Sequence, residues 1–164
     1  MSTNAPMRAI RNAWKGYEVP RCKSKNRRAR CVFCPDPNPD SLILDCDKIK
    51  DRLGLPGMMC DCIAIEPHGV LHVAVVELKG GSYSSEHAKS QLVAGANLAM
   101  DILEGAKARK GVCIHLLVVA PRHRYSHRLS LPYRHVRVRG RRLSIRTVRC
   151  GARFSQVIPG AQGA

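Results

Sequence analysis

Aromatic side chains are scarce: one Trp, two Phe and four Tyr among 164 residues, 4% of the chain. A core must therefore be built from Val, Leu, Ile, Ala, Cys and Met, and a broad aromatic platform for stacking successive bases is excluded. No apolar run is long enough to span a bilayer, and the opening MSTNAPMRAIRNAWKG holds no apolar segment of the signal-peptide kind. The expectation is a soluble, intracellular protein of the cytoplasm, nucleoid or nucleus, with no membrane partner. No internal repeat or low-complexity tract occurs. Carboxylates also run out, since none lies beyond Glu104.

What remains is strongly basic, with a net charge of +16 and a pI of about 10.1. Residues 1–30 hold nine Lys/Arg against Glu18, for +8. Residues 31–104 hold five against eleven acids, for −6, and residues 105–164 hold fourteen against none, for +14. A basic, acid-free third suits a polyanion, because each Lys/Arg–phosphate contact releases condensed counterions. No amphipathic basic helix suggests a membrane surface, so nucleic acid is the expected partner.

Eight cysteines are many for a reduced compartment. Without a secretory signal, metal ligation and plain burial are expected ahead of disulfides. Cys31 and Cys34 form a C-x-x-C in RCVFCPDPNP, and Cys22 precedes them by nine residues. Two thiolates at this spacing can reach one tetrahedral ion, so a structural zinc held by Cys22, Cys31 and Cys34 is expected. Cys46 is the candidate fourth ligand, with Cys60, Cys150 or a histidine as alternatives. Reduced, unliganded thiols are the competing reading. Cys60, Cys62 and Cys113 lie in apolar runs and read as small core residues. The H-x-E and Pro-Cys signature of zinc deaminases is absent.

Along the chain, residues 1–39 read as a basic arm carrying the zinc knuckle. A helix is predicted over 40–53, capped by Asp40 or Ser41, with Leu42, Cys46, Ile49 and Leu53 on one stripe and Gly54, Pro56 and Gly57 as its stop. MMCDCIAI (58–65), a turn EPHG (66–69) and VLHVAVVELK (70–79) predict a β-hairpin. SEHAKSQLVAGANLAMDILEG predicts an amphipathic helix with Ala88, Leu92, Ala96, Ala99 and Leu103 on one face. GVCIHLLVVA (111–120) reads as a strand covered on both faces. VRVRG and RRLSIRTVR alternate apolar residues with Arg, predicting a second hairpin with one core face and one cationic face. The fold class is α/β, a mixed sheet flanked by helices with a basic C-terminal β extension.

Glu77 and Lys79 end the strand VAVVELK two residues apart, so alternation points them at one spot. Asp61 is the only acid in the partner strand. Two carboxylates and a backbone carbonyl can hold a hard divalent ion, and an adjacent ammonium can orient a nucleophile or a phosphate. With EPHG as a four-residue loop and a regular ladder, Asp61 faces Ala74 and falls on the face opposite Glu77. The constellation therefore requires a bulge or an odd-length loop.

Cys60-Asp61 and Glu77-Leu78-Lys79, between one helix and another, resemble the PD-(D/E)xK nuclease superfamily, over residues 40–120. The resemblance implies a restriction-endonuclease-like core there, with residues 121–164 as a basic extension of the same domain. It implies that Asp61, Glu77 and the Leu78 carbonyl bind Mg²⁺ or Mn²⁺, that Lys79 is catalytic, and that Gln91 on the following helix assists. Asp45, Asp47 and Asp51 are candidates for a further carboxylate from the first helix. The chain departs from the pattern where Cys60 stands in place of Pro. Arg137, Arg139, Arg142 and Arg146 are the expected phosphate contacts. His123 and His127, with Arg122, Arg124 and Arg128, form a further basic run, and Tyr125 and Tyr133 are candidates for stacking on bases. The expected activity is metal-dependent hydrolysis of phosphodiester bonds, with DNA the expected substrate and a homodimer or partner protein needed to cut both strands. The alternatives are a non-catalytic nucleic-acid-binding module, zinc-bearing or not, and a structural partner in a ribonucleoprotein or packaging assembly.

Overall fold

The computed structural model describes residues 4–24, 31–80, 83–108, 110–121 and 134–158. Its elements in chain order are α1 (Asn4–Ala13), β1 (Cys22–Lys23), β2 (Val32–Phe33), β3 (Leu42–Asp45), α2 (Cys46–Leu53), β4 (Cys62–His68) and β5 (Val70–Leu78), followed by α3 (Ser85–Gly105), β6 (Val112–Ala120), β7 (His135–Val138), β8 (Arg141–Arg149) and α4 (Phe154–Val157). The runs rich in β-branched residues gather into one six-stranded mixed sheet of order β3-β4-β5-β6-β8-β7. β3, β4 and β5 are antiparallel, β5, β6 and β8 run parallel, and β7 closes the edge antiparallel to β8. The basic hairpin is thus part of the sheet itself, since β8 lies directly against β6.

Strand alternation divides the molecule into two layers. On one face, Leu44, Ile63, Ile65, Val73, Val75, Leu116 and Val118 lie under α3, which contributes Ala88, Leu92, Ala96 and Ala99. Met7 and Ile10 of α1 and Ile49 of α2 complete this layer. On the other face, Ala64, Ala74, Val76, Leu117 and Val119 lie under Phe33, Phe154, Val157 and Ile158. Each fully buried Val, Leu or Ile contributes about 1.5–3 kcal/mol relative to exposure. Numerous aliphatics in two layers thereby make up for the scarcity of aromatics, of which Phe33 and Phe154 are buried. No helix among the described residues is long and apolar enough to cross a membrane.

The structure corrects the reading of the first half of the chain. Residues 42–45, placed in a helix by their apolar stripe, form an edge strand, with Leu42 opposite Ile65 and Asp45 opposite Cys62. The unpaired edge of β4 captures this Leu-Ile-Leu segment, and the helix begins only at Cys46. Its cap is Asp45, whose side chain accepts from the Asp47 and Lys48 N–H groups. The supposed arm contains α1, whose Met7 and Ile10 are buried, and a small sheet of β1 and β2.

The zinc expectation is corrected as well. Cys22 is bonded to Cys62 and Cys31 to Cys150, across 40 and 119 residues. Cys34 is a free, half-buried thiol, and Cys46 is a buried thiol beside Cys60. Cys22, Cys31, Cys34 and Cys46 therefore do not make one tetrahedral thiolate site. Of the three expected core cysteines, Cys60 is buried, Cys62 is bonded and Cys113 is exposed. Disulfides persist in oxidising surroundings, which departs from the reduced, intracellular state expected from the sequence.

Candidate active site

The turn after β4 decides which residues meet. Residues 66–68 belong to the strand, and Gly69 alone separates His68 from its partner Val70. Gly69 has φ +75°, a conformation an L side chain rarely adopts. The pairing runs from His68 opposite Val70 to Cys62 opposite Val76. This odd-length connection satisfies the requirement set by the sequence: extended one residue, the register sets Asp61 against Glu77. Pro67 is tolerated in β4 because β3 covers that strand only as far as Ile65.

Asp61 stands just before β4, where its N–H donates to the Val76 carbonyl at 3.0 Å. Its carboxylate Oδ2 accepts the Leu78 N–H at 2.7 Å, which clamps the ends of the two strands together. Glu77 belongs to the face that carries Val73 and Val75, so it lies beneath α3. Its Oε1 is 2.7 Å from the Lys79 ammonium. Lys79 also donates to Gln91 Oε1 at 2.7 Å, and Gln91 Nε2 donates to the Met59 carbonyl at 3.4 Å. The structure thus brings together Asp61, Glu77, Lys79 and Gln91, from two strands and a helix, with the Leu78 backbone between them.

Gly95 makes this convergence geometrically accessible. A Cβ at that position would lie 2.4 Å from Cys60 Sγ and 2.5 Å from Val75 Cγ1. Only glycine lets α3 approach the sheet so closely, and Gln91 lies one helical turn before it on the same side. The cost of a mid-helix glycine, about 1 kcal/mol relative to alanine, is set against the position of Gln91.

The electrostatics are those of a crowded anionic site. Burial pushes the Glu77 carboxyl up to about 7, the Asp61 carboxylate adds to the shift, and Lys79 and Gln91 oppose it. Glu77 is 3% exposed, and its Oε2 is buried without a hydrogen-bond partner among the described residues. A buried oxygen in this state costs a few kcal/mol unless it accepts a proton or a cation. Two buried thiols lie behind the carboxylates, with Cys60 Sγ 3.4 Å from Cys46 Sγ. The Cys46 hydrogen bond and burial raise the Cys60 thiol well above its usual value, so it stays neutral. Of the helix acids considered, Asp45 is committed to capping α2, Asp47 follows in the first turn, and Asp51 is exposed.

The arginines divide. Arg137 and Arg142 are exposed and directly opposite each other in the β7–β8 ladder. Like charges so placed repel, which an anion between them would relieve. They lie on the sheet face opposite Glu77, because Val136, Val138, Leu143 and Ile145 fill the α3 face. Arg139 sits with Gly140 in a two-residue turn, both at positive φ, and reaches α3 to pair with Asp101 at 2.6 Å and Asn97 at 3.1 Å. Arg146 is half-buried and donates to the Val157 carbonyl. Arg139 and Arg146 thus have partners within the protein, unlike the outward-facing Arg137 and Arg142. His123, His127, Arg122, Arg124, Arg128, Tyr125 and Tyr133 lie outside the described residues.

Arg149 was missed. Glu77 pairs with Val118, and Ala120 pairs with Arg149, so Lys79, Ala120 and Arg149 share one cross-strand row. Two inter-strand spacings, roughly 10 Å, separate the exposed Arg149 from Lys79. The signal lay in RRLSIRTVR, where alternation from Leu143 and Ile145 carries Thr147 and Arg149 onto the core face at the strand's end. Compared with known proteins, the chain matches no family model, no curated protein and no solved structure.

Proposed function

We propose that this chain is a metal-dependent nuclease of the PD-(D/E)xK type, with a restriction-endonuclease-like core, hydrolysing phosphodiester bonds in DNA. One observation carries the reading: among the described residues, Glu77 Oε2 is a buried acceptor with no hydrogen-bond partner, amid Asp61, Lys79 and Gln91. That donor set is all oxygen and fits Mg²⁺ or Mn²⁺, which Asp61, Glu77 and the Leu78 carbonyl would hold. When bound, the ion neutralises charge on the phosphodiester and lowers the pKa of its own water. The protein does the rest. Gln91 and Glu77 fix the Lys79 ammonium, which orients the attacking water or the scissile phosphate. Leu78 N–H keeps Asp61 aimed at the same spot. Glu77 must give up its proton as the site takes a cation, so metal affinity rises with pH toward about 7. Arg149, in the row of Lys79, grips a neighbouring phosphate. One such site cuts one strand, so cutting both strands calls for a second copy or a partner protein.

The exposed Arg137–Arg142 pair, away from the carboxylates, favours a second reading as a nucleic-acid-binding module without turnover. Incubation of plasmid and single-stranded DNA with Mg²⁺ or Mn²⁺ separates the two. Cleavage by the wild type and a loss of at least about 100-fold in Glu77→Gln support the nuclease. Binding without cleavage in either metal leaves the second reading.

A further inference from the structure

A second cluster of ligating side chains occupies the opposite face of the sheet. Glu66, His68 and His72 alternate onto the side of Ala64, Ala74 and Val76, away from α3. His68 Nε2 lies 2.9 Å from Glu66 Oε2 and 3.9 Å from Asp36 Oδ2. One ligand atom from each of Asp36, Glu66 and His68 lies within 4.8 Å of the others. Seven residues of strand, roughly 23 Å, separate His68 from Asp61.

We infer that Asp36, Glu66 and His68 form a second metal site, for a divalent transition ion of the zinc class. Tetrahedral ligands at about 2.0–2.2 Å from zinc stand roughly 3.2–3.6 Å apart, a spacing bracketed by the observed 2.9 and 3.9 Å. One imidazole and two carboxylates suit zinc or its neighbours better than Mg²⁺ or Ca²⁺, which take all-oxygen sets. This distinguishes the site chemically from Asp61 and Glu77.

Charge argues the same way. Glu66 is fully buried, and among the described residues the only ion-pair partner of either carboxylate is His68. Two adjacent carboxylates facing one imidazole lack a full countercharge, which a divalent ion supplies.

The ligands are also held from behind. Glu66 Oε1 accepts the Asp36 N–H at 2.8 Å. The Asp36 carboxylate accepts the Ser155 N–H at 2.7 Å and the Ser155 hydroxyl at 2.6 Å. The His68 ring stacks on Phe154. Such outer partners orient metal ligands and restrict their motion. His72 is not in the group whose ligand atoms all lie within 4.8 Å of one another, and its Nδ1 is 3.0 Å from His115 Nε2. Side-chain exposures of 23% for His68 and 13% for Asp36 leave a path for the ion and a water at the fourth position. Bound there, the ion would tie the segment after β2 and, through Ser155, the helix α4 to the sheet.

The test is zinc titration by calorimetry on full-length, chelator-stripped protein carrying Glu77→Gln, Cys34→Ser and Cys113→Ser, which removes the first site and the two free thiols outside the core. The expected result is one zinc per chain, lost on adding His68→Ala or Asp36→Asn, while circular dichroism stays unchanged. No zinc uptake, or uptake unaffected by both substitutions, would overturn the inference. If either variant fails to fold, histidine ring NMR on the unsubstituted chain decides. Zinc must then shift the His68 resonances and leave those of exposed His87 in place. A shift of His87 alone, or of neither ring, would equally overturn it. The readout is binding, so it is independent of whether the chain cleaves DNA.

Discussion

The two faces of the central sheet solve different problems with the same strands. The α3 face is closed by helices and aliphatic side chains, and at its end it holds two carboxylates, a lysine and a glutamine under Gly95. The opposite face is covered by two-residue strands and a four-residue helix, fastened by disulfides, with histidines and acids in a row across it. Long amphipathic helices can bury enough surface to hold a strained polar cluster in place. Short segments cannot, and covalent bonds or ions must make up the difference.

Breaking the covalent fastening is expected to give the largest effect on stability. The bond between Cys22 and Cys62 closes a span of 40 residues, which loop-closure entropy equates to about 4 kcal/mol. A Cys22→Ser, Cys62→Ser chain should lose about that much in urea unfolding while still binding Mn²⁺ at the Asp61 end. A loss below about 1 kcal/mol would mean the short segments hold themselves.

A smaller effect comes from pH. The folded Glu77 carboxyl is raised from 4.5 to about 7, so its contribution to stability is full below about 4.5 and is lost as pH rises through about 7. His115, lowered from 6.5 to about 4 by burial and by His72, works in the opposite sense: its contribution is present above 6.5 and lost as pH falls through about 4. The wild-type curve is the sum, and subtracting a Glu77→Gln curve isolates the first. In chelator, the variant should gain on the order of 3 kcal/mol over the wild type between pH 4.5 and 7.5. A constant gap would mean that Glu77 is not held in an anionic, dry site.

The smallest effect concerns the exposed arginines. Arg137→Glu with Arg142→Glu should flatten the salt dependence of duplex binding by roughly 0.9 in slope for each phosphate no longer neutralised, whereas Arg139→Glu should leave it unchanged. Equal effects from both would mean that the pairing of Arg139 with Asp101 does not persist in solution.

How much of this was legible depended on where the determining interactions lay. The β4–β5–α3–β6 succession and the core stripe Ala88, Leu92, Ala96 and Ala99 follow from local periodicity. So does the convergence of Glu77 and Lys79, because they share one strand. The placement of Asp61 hung on a single-residue turn at Gly69, which composition alone does not distinguish from a longer one. β3 was hidden because Leu42, Cys46 and Ile49 also fit a helical stripe, and only the free edge of β4 makes the first part a strand. The cysteine pairing could not be read, since each partner lies tens of residues away. The pairing of Arg139 with Asp101 was hidden because its turn sends it toward α3, out of the alternation that governs Arg137 and Arg142.

The most direct measurement separates holding the ion from using it. Lys79 touches Glu77 and Gln91 but is not itself a metal ligand in this account. In Lys79→Ala, Mn²⁺ affinity followed by electron paramagnetic resonance should stay within about tenfold of the wild type, while cleavage of plasmid DNA at saturating Mn²⁺ falls by at least about 100-fold. Undiminished cleavage by Lys79→Ala would contradict the assignment of this site as a nuclease centre.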